Sequence, residues 1–239
     1  MSENLARILT ETAERNGDQT AFKLDDVELS YSMLDDGSTR VAGFLKSKGL
    51  EAGDRVGLML PNVPYFPAIY YGILRAGGVV VPMNVLLKGR EVGYYLEDPG
   101  AKLVFAWGDF AEAAEAGAES AGTEVILVKP GEFEKLLAEQ EPNREMADCS
   151  ADDTAVILYT SGTTGKPKGA ELTHANLHRN SAGVSSKLGE LTGEDVLLGA
   201  LPLFHSFGQT CTMNSAVCVG ATVTMLPRFD PVKALEIID

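Results

Sequence analysis

Between residues 55 and 128, short apolar runs alternate with amphipathic stretches at helical spacing, and this constrains the fold more than anything else in the chain. The runs at 55–60, 79–82, 102–106 and 124–128 are dominated by Val, Ile, Leu and Met, the composition of buried strands. The stretches at 64–75, 88–97 and 109–121 carry apolar residues three and four apart and read as helices. Strands apolar on both faces and joined by helices must be covered on both sides. The pattern therefore predicts an α/β chain with a parallel-rich sheet flanked by helices on both faces. The Ala-, Glu- and Gly-rich segment 109–123 reads as a solvated outer helix.

The flanking sequence is legible in the same terms. Leu5, Ile8, Leu9 and Ala13 mark an amphipathic helix ending at Gly17. Segments 19–24 and 27–29, joined at Asp25-Asp26, read as a hairpin. A longer helix carries Leu34, Val41, Phe44 and Leu45 on one face, with Gly49 as its stop signal. The apolar stretch 63–87 is broken by Arg75, by Gly77-Gly78 and by Pro64, Pro67 and Pro82, which argues against a transmembrane helix. Segment 139–153, with Pro142, Asn143 and Asp152-Asp153, reads as a polar surface connection. Near the end, Asp230-Pro231 is a helix start, followed by Val232, Ala234, Leu235 and Ile238 on one apolar face.

An apolar run at 154–159 feeds directly into residues 159–169, Y-T-S-G-T-T-G-K-P-K-G. Glycines let backbone approach an anion so that successive N–H groups converge on its oxygens; hydroxyls add donors and a lysine adds a mobile charge. The string is not a Walker loop, which requires G-x-x-x-x-G-K-[ST]. Here Pro167 follows Lys166, and no glycine stands five places before Gly165. Proline also disfavours helix at Lys166, so the expected continuation is a short strand over 170–172 and then a helix capped by Thr173. A bare S-G-T-T-G is more often a solvent-exposed turn. What outweighs that reading is the eleven-residue string taken whole.

Charge narrows the partners. Acidic side chains number 34 against 20 basic ones, a net charge of −14, which argues against nucleic acid or an anionic membrane as the main partner. The densest positive cluster is Lys166 and Lys168. Cys149, Cys211 and Cys218 form no C-x-x-C pair and read as free thiols, Cys211 and Cys218 as small apolar residues on a core segment. With no basic and apolar leader at the N-terminus, the expected compartment is the cytoplasm. His174 and His178 stand four apart on one helix face, a spacing zinc can use, yet H-A-N-L-H lacks the glutamate of H-E-x-x-H; a structural histidine near a helix start is the favoured reading. No Ser-His-Asp triad is inferable.

The whole of 159–169 resembles the phosphate-binding signature of the adenylate-forming superfamily, which includes acyl-CoA synthetases, aryl-CoA ligases, beetle luciferases and the adenylation domains of peptide synthetases. The resemblance continues through L-T-H-A-N-L at 172–177. Upstream, L-S-Y-S-M-L at 29–34 and L-R-A-G-G-V-V-V-P-M-N at 74–84 resemble earlier family elements, and L-P-L-F-H-S-F-G at 201–208 resembles the element near the acyl pocket. The elements occur in the family's order and span essentially the whole chain.

The resemblance implies a reaction. A carboxylic acid is joined to AMP with release of pyrophosphate, and the acyl group then passes to the thiol of coenzyme A. Catalysis of this kind rests on charge neutralisation and in-line positioning. By resemblance, Ser161, Gly162, Thr163, Thr164 and Gly165 hold the β- and γ-phosphates of ATP through backbone N–H groups and hydroxyls. Lys168 supplies the cation, while Lys166 stands where the family accepts many residues. Thr160 contributes a hydroxyl on the Mg²⁺ side. His205 borders the acyl carboxylate and the adenylate, so Lys168 and His205 are the catalytic candidates. Phe207 and Gly208 shape the acid tunnel.

The resemblance implies ATP, Mg²⁺, CoA and a small-molecule carboxylic acid, fatty or aryl, as ligands. Family elements Y-G-x-T-E and Y-x-T-G-D do not occur in this sequence. The family runs to roughly twice this length and carries a further domain with a catalytic lysine. Residues 1–239 are therefore expected to be the N-terminal part of an AMP-binding domain and to lack turnover alone. Residues 40–190 would form a first α/β subdomain, and 1–39 with 191–239 parts of a second, truncated one. Two alternatives stay open: a luciferase-like oxidoreductase of the same fold, and a non-catalytic nucleotide-binding module. Nothing in the sequence sets the oligomeric state.

Overall fold

The computed structural model describes residues 3–160 and 166–238. In chain order the elements are α1 (Arg7–Asn16), β1 (Thr20–Leu24), β2 (Val27–Ser30), α2 (Tyr31–Ser47), β3 (Arg55–Met59), α3 (Tyr65–Arg75), β4 (Val79–Pro82), α4 (Gly89–Glu97), β5 (Ala101–Trp107), α5 (Ala111–Ala121), β6 (Glu124–Val128), α6 (Glu132–Ala138), β7 (Thr154–Thr160), β8 (Lys168–Thr173), α7 (His174–Gly183), β9 (Val196–Gly199), α8 (Ser215–Val219), β10 (Thr222–Met225) and α9 (Pro231–Ile238). π-helical turns at Val184–Leu188 and Gly208–Asn214 precede β9 and α8.

The strands form two mostly parallel sheets. One has the order β6-β5-β3-β4-β7-β8, parallel except for the antiparallel β7–β8 pair. The other has the order β2-β1-β10-β9, with only β1–β2 antiparallel. The two faces of the larger sheet follow from the period of two along a strand. Val56, Leu58, Val80, Leu103, Phe105 and Val156 point to one core; Met59, Val79, Val81, Val104, Ala106 and Ile157 point to the other. The first core extends through α1, α2 and α3 to Phe22, Val223 and Met225 of the smaller sheet, so these helices are packed between the sheets. The second core lies under α4 and α5.

The expected strand–helix alternation over 55–128 is present throughout. Ser30 caps α2 by accepting the Met33 N–H at 3.3 Å, and Thr173 caps α7 by accepting that of Asn176 at 3.1 Å. Helix α5 is outer and solvated as expected, with Glu112, Glu115, Ala116, Glu119 and Ser120 exposed and Ala114, Gly117 and Ala118 buried against α4. Two expectations need correction. The strand expected over 170–172 already begins at Lys168, because the β7 ladder continues to the Thr160–Lys168 pair. Cys211 and Cys218 are half-buried rather than core residues; of the three thiols Cys149 is the buried one. Strands β9 and β10 and helix α6 were not anticipated. No helix among the described residues is long and apolar enough to cross a membrane.

Candidate functional site

The β7–β8 hairpin carries the phosphate-grip string. Its apolar half, Ala155, Val156 and Ile157, is buried in the sheet, and this fixes the direction in which the strand leaves the core. At its carboxyl end Thr160 is exposed and stands opposite Lys168 in the ladder; Tyr159 stands opposite Gly169. The carboxyl ends of parallel strands are where open α/β sheets bind ligands. Lys166 and Lys168 are both exposed, and among the described residues neither takes part in an ion pair. Thr160 and Lys168 are thus brought together at one end of the sheet. Ser161, Gly162, Thr163, Thr164 and Gly165 lie outside the described residues.

The second group of expected site residues follows β9. A buried asparagine, Asn62 in the turn after β3, holds this segment: its Nδ2 donates to Gly199 O at 2.8 Å and Leu201 O at 2.9 Å, and its Oδ1 accepts the Leu203 N–H at 2.9 Å. The chain then turns through Leu203 and Phe204 into the helical turn that begins at Ser206. His205 is exposed at that entry and its Nδ1 accepts the Phe207 N–H at 3.3 Å. Gly208 is buried because the helix packs on the preceding turn; a Cβ there would lie 2.3 Å from Pro202 O and 2.8 Å from Leu201 O. Phe207 is 54% exposed and lines a cleft of about 270 Å³ with Leu172, Leu177, Thr210 and Cys211, rimmed by Asn176 and Asn180. Leu172 belongs to β8 and Leu177 to α7, so this cleft joins Phe207 to the strand that carries Lys168. His205, Gly208 and Thr160 do not line it.

Below the cleft the π-helical turn replaces α-helical geometry over Gly208–Asn214, a distortion that recurs at functional sites. It presents Gln209 and Asn214 to two buried tyrosines of α3. Tyr71 Oη donates to Asn214 Oδ1 at 2.7 Å, and Tyr70 Oη lies 3.5 Å from both Gln209 Oε1 and Asn214 Nδ2. Burial pushes both phenol pKa values up, so both stay neutral donors. Gln209 Nε2 is fully buried without a hydrogen-bond partner among the described residues.

The histidine pair separates. His174 is buried and its Nδ1 accepts the Leu5 N–H at 3.0 Å; burial lowers its pKa, with Asp153 opposing. His178 is exposed. Among the described residues no group of three or more His, Cys, Asp or Glu could hold a metal ion.

The structural residues that sequence reasoning missed, Asn62 and the pair Tyr70 and Tyr71, carry little local signal. Asn62 follows proline at the end of an apolar strand and looks like any turn residue. The tyrosines look like core aromatics, and their polar partners lie about 140 residues away.

A family model described as AMP-binding enzyme matches residues 9–239. Among curated proteins, a long-chain-fatty-acid–CoA ligase of Bacillus subtilis is 31% identical, over 100% of this chain and 49% of its own length. A feruloyl-CoA synthase of Amycolatopsis is 33% identical, over 92% of this chain and 43% of its own. Among solved structures, ATP-bound MatB from Rhodopseudomonas palustris superposes with a TM-score of 0.91 at 32% identity, covering 100% of this chain and 48% of that one. The chain thus spans about half the length of the curated relatives it matches.

Proposed function

The chain belongs to the AMP-binding enzyme family, and from that premise we propose that it forms the phosphate-gripping and acid-facing part of an ATP-dependent acid–CoA ligase acting on a fatty or aryl acid. The observation that carries the proposal is the β7–β8 hairpin, which sets Thr160 and Lys168 opposite each other at the carboxyl end of the sheet, on either side of S-G-T-T-G. Residues 161–165 donate to the β- and γ-phosphates, and Lys168 offsets their charge. An acid carboxylate oxygen attacks the α-phosphorus, the bond from that phosphorus to the bridging oxygen breaks, and pyrophosphate leaves. The coenzyme A thiolate then attacks the acyl carbonyl and AMP leaves. His205 faces the acyl carboxylate, with Phe207 and Gly208 shaping the wall beside it.

Mg²⁺ fits these residues only as a companion of the triphosphate. The described chain offers Thr160 as one exposed hydroxyl and no carboxylate cluster. Mg²⁺ keeps several waters and binds through substrate phosphates, so one hydroxyl is an adequate contribution. When bound it would neutralise charge on the phosphates; Lys168 and the backbone donors do so from the protein side.

We assign residues 40–190 to a first subdomain around the larger sheet, and 1–39 with 191–239 to a second around the smaller one. Helix α2 runs through the first border and packs both. We assign the protein to a reducing, cytoplasmic setting, in keeping with three cysteines that form no C-x-x-C pair in the sequence. Because Y-G-x-T-E and Y-x-T-G-D do not occur in it, the 239-residue chain binds ATP without completing turnover. The test is pyrophosphate release from ATP by the protein expressed from its whole reading frame, acid by acid. Acid-dependent release that stops in Lys168→Ala supports the proposal. No release with any fatty or aryl acid refutes it, and light emission or oxygen consumption from an adenylate would favour a luciferase-like oxidoreductase instead.

A further inference from the structure

Both strand ends that flank the phosphate segment rest on one helix turn. Tyr159, two residues before the segment, donates its hydroxyl to Asp98 Oδ2 at 2.5 Å, and its ring stacks on Tyr95 with centroids 4.2 Å apart and planes 22° apart. On the other side, Tyr94 Oη donates to the carbonyl of Pro167 at 2.9 Å, the residue just before β8. Tyr94, Tyr95 and Asp98 occupy the last turn of α4 and its C-terminal cap. Tyr94 and Asp98 are four apart and therefore share a face. The ring of Tyr94 also meets that of Tyr159 edge-on, at 6.0 Å.

Two features indicate that this turn does more than fill space. Asp98, with Glu97 beside it, sits at the negative end of the helix dipole, where an acid is locally unfavourable. Its carboxylate accepts the Tyr159 hydroxyl; burial, and then this same carboxylate, also raise the pKa of the Tyr94 phenol beside it. Burial, and then the hydrogen bond to Asp98, raise the Tyr159 pKa, so the phenol remains the donor across the neutral range. The turn is also held from outside the sheet. At the start of α4 the Lys88 N–H donates to Glu91 Oε2 at 2.9 Å. Along its length α4 packs so closely on α5 that a Cβ on Gly117 would lie 2.6 Å from Val92 Cβ and 2.7 Å from Gly93 N.

We propose that the C-terminal turn of α4 is a clamp that holds the paired strand ends carrying Thr160 and Lys168 in place, with Tyr94, Tyr95 and Asp98 as positioning residues for phosphate binding. The clamp as a structural device stands on the contacts above; its link to ATP rests on the functional reading already proposed. One hydrogen bond of ordinary strength at a partly exposed site shifts an equilibrium by about three- to tenfold when removed.

The test uses the 239-residue chain with Tyr159→Phe, Tyr94→Phe, Asp98→Ala and Asp98→Asn, read by amide hydrogen exchange at residues 159–160 and 168–169, by the urea midpoint and by MgATP calorimetry. Tyr159→Phe, Tyr94→Phe and Asp98→Ala are expected to speed strand-end exchange and weaken ATP by about three- to tenfold each with the urea midpoint unchanged. Asp98→Asn keeps an acceptor oxygen and is expected to stay within about twofold of the parent. Unchanged strand-end exchange in Tyr159→Phe and Asp98→Ala would overturn the clamp. So would a fall in the urea midpoint with unaltered ATP affinity, or an Asp98→Asn chain as impaired as Asp98→Ala. A parent chain that binds no MgATP would refute the functional reading, while the exchange results would still decide the clamp.

Discussion

Replacing Asn62 by alanine removes the tie between the turn after β3 and the segment that leads from β9 to His205. The side chain is 4% exposed and makes three hydrogen bonds, to Gly199 O, Leu201 O and the Leu203 N–H. The three losses are unequal. Gly199 O also accepts the Leu226 N–H at 3.1 Å and keeps a partner. Leu201 is 50% exposed, so water can reach its carbonyl. Leu203 is buried, and its N–H is left without an acceptor. One fully orphaned donor and two weakened acceptors cost about 2–4 kcal/mol. For a domain of this size that lowers Tm by about 5–15 °C. Urea denaturation should show a lower midpoint at unchanged m-value. Asn62→Asp is the sharper comparison. It keeps the acceptor for Leu203 but turns an oxygen toward two carbonyls 2.8 and 2.9 Å away, so at neutral pH it should destabilise at least as much as alanine and recover in acid, where the protonated group can donate once. An aspartate variant milder than the alanine variant at pH 7, or an alanine variant within about 0.5 kcal/mol of the parent, would refute this account of the tie.

Further predictions concern other parts of the fold. Arg75 is 2% exposed at the end of α3, paired with Asp35 and bonded to Thr10 Oγ1 at 2.8 Å and Ser38 Oγ at 3.2 Å; Asp35→Ala should cost about 3 kcal/mol in urea denaturation, and the double change Asp35→Leu/Arg75→Met markedly less. A double variant no more stable than Asp35→Ala would contradict that view of the pair. Burial holds the His174 pKa below its ordinary 6.5, so the unfolded chain binds the extra proton first; the stability tied to His174 is complete above pH 6.5 and is lost as pH falls below it. His174→Gln should flatten melting curves between pH 7.5 and 5.5, and an unaltered slope would exclude this histidine as the cause. Gly208→Ala forces backbone apart at Pro202 and should cost about 1–3 kcal/mol while displacing the turn that carries His205; a variant as stable as the parent would show that the contact relaxes freely.

Much of this was legible in the sequence, for a local reason. The alternation over 55–128 and the caps at Ser30 and Thr173 are short-range signals, and the larger sheet's core follows from them. The smaller sheet has no such signal: β9 and β10 are four residues each, and β10 finds its partner where Phe22 aligns with Val223, some 200 positions away. The site divides in the same way. Thr160 and Lys168 sit in one contiguous string, and the ladder sets them opposite each other. Asn62, Asp98 and Tyr94 act on segments 60 to 140 residues distant, so in the sequence they look like a turn residue, a helix-end acid and a core aromatic.

The most direct test of the central claim, that the β7–β8 hairpin of this chain is a triphosphate grip centred on Lys168, is MgATP calorimetry on the 239-residue protein with Lys168→Ala and Lys166→Ala. Both lysines are exposed and neither belongs to an ion pair among the described residues, so neither change should alter folding. The parent should bind MgATP. Lys168→Ala should lose about 10- to 100-fold in affinity, the worth of one charge-assisted contact to phosphate, and Lys166→Ala should stay within about twofold. Equal losses in both variants would reduce the grip to general positive charge, and undiminished binding in Lys168→Ala would contradict the claim.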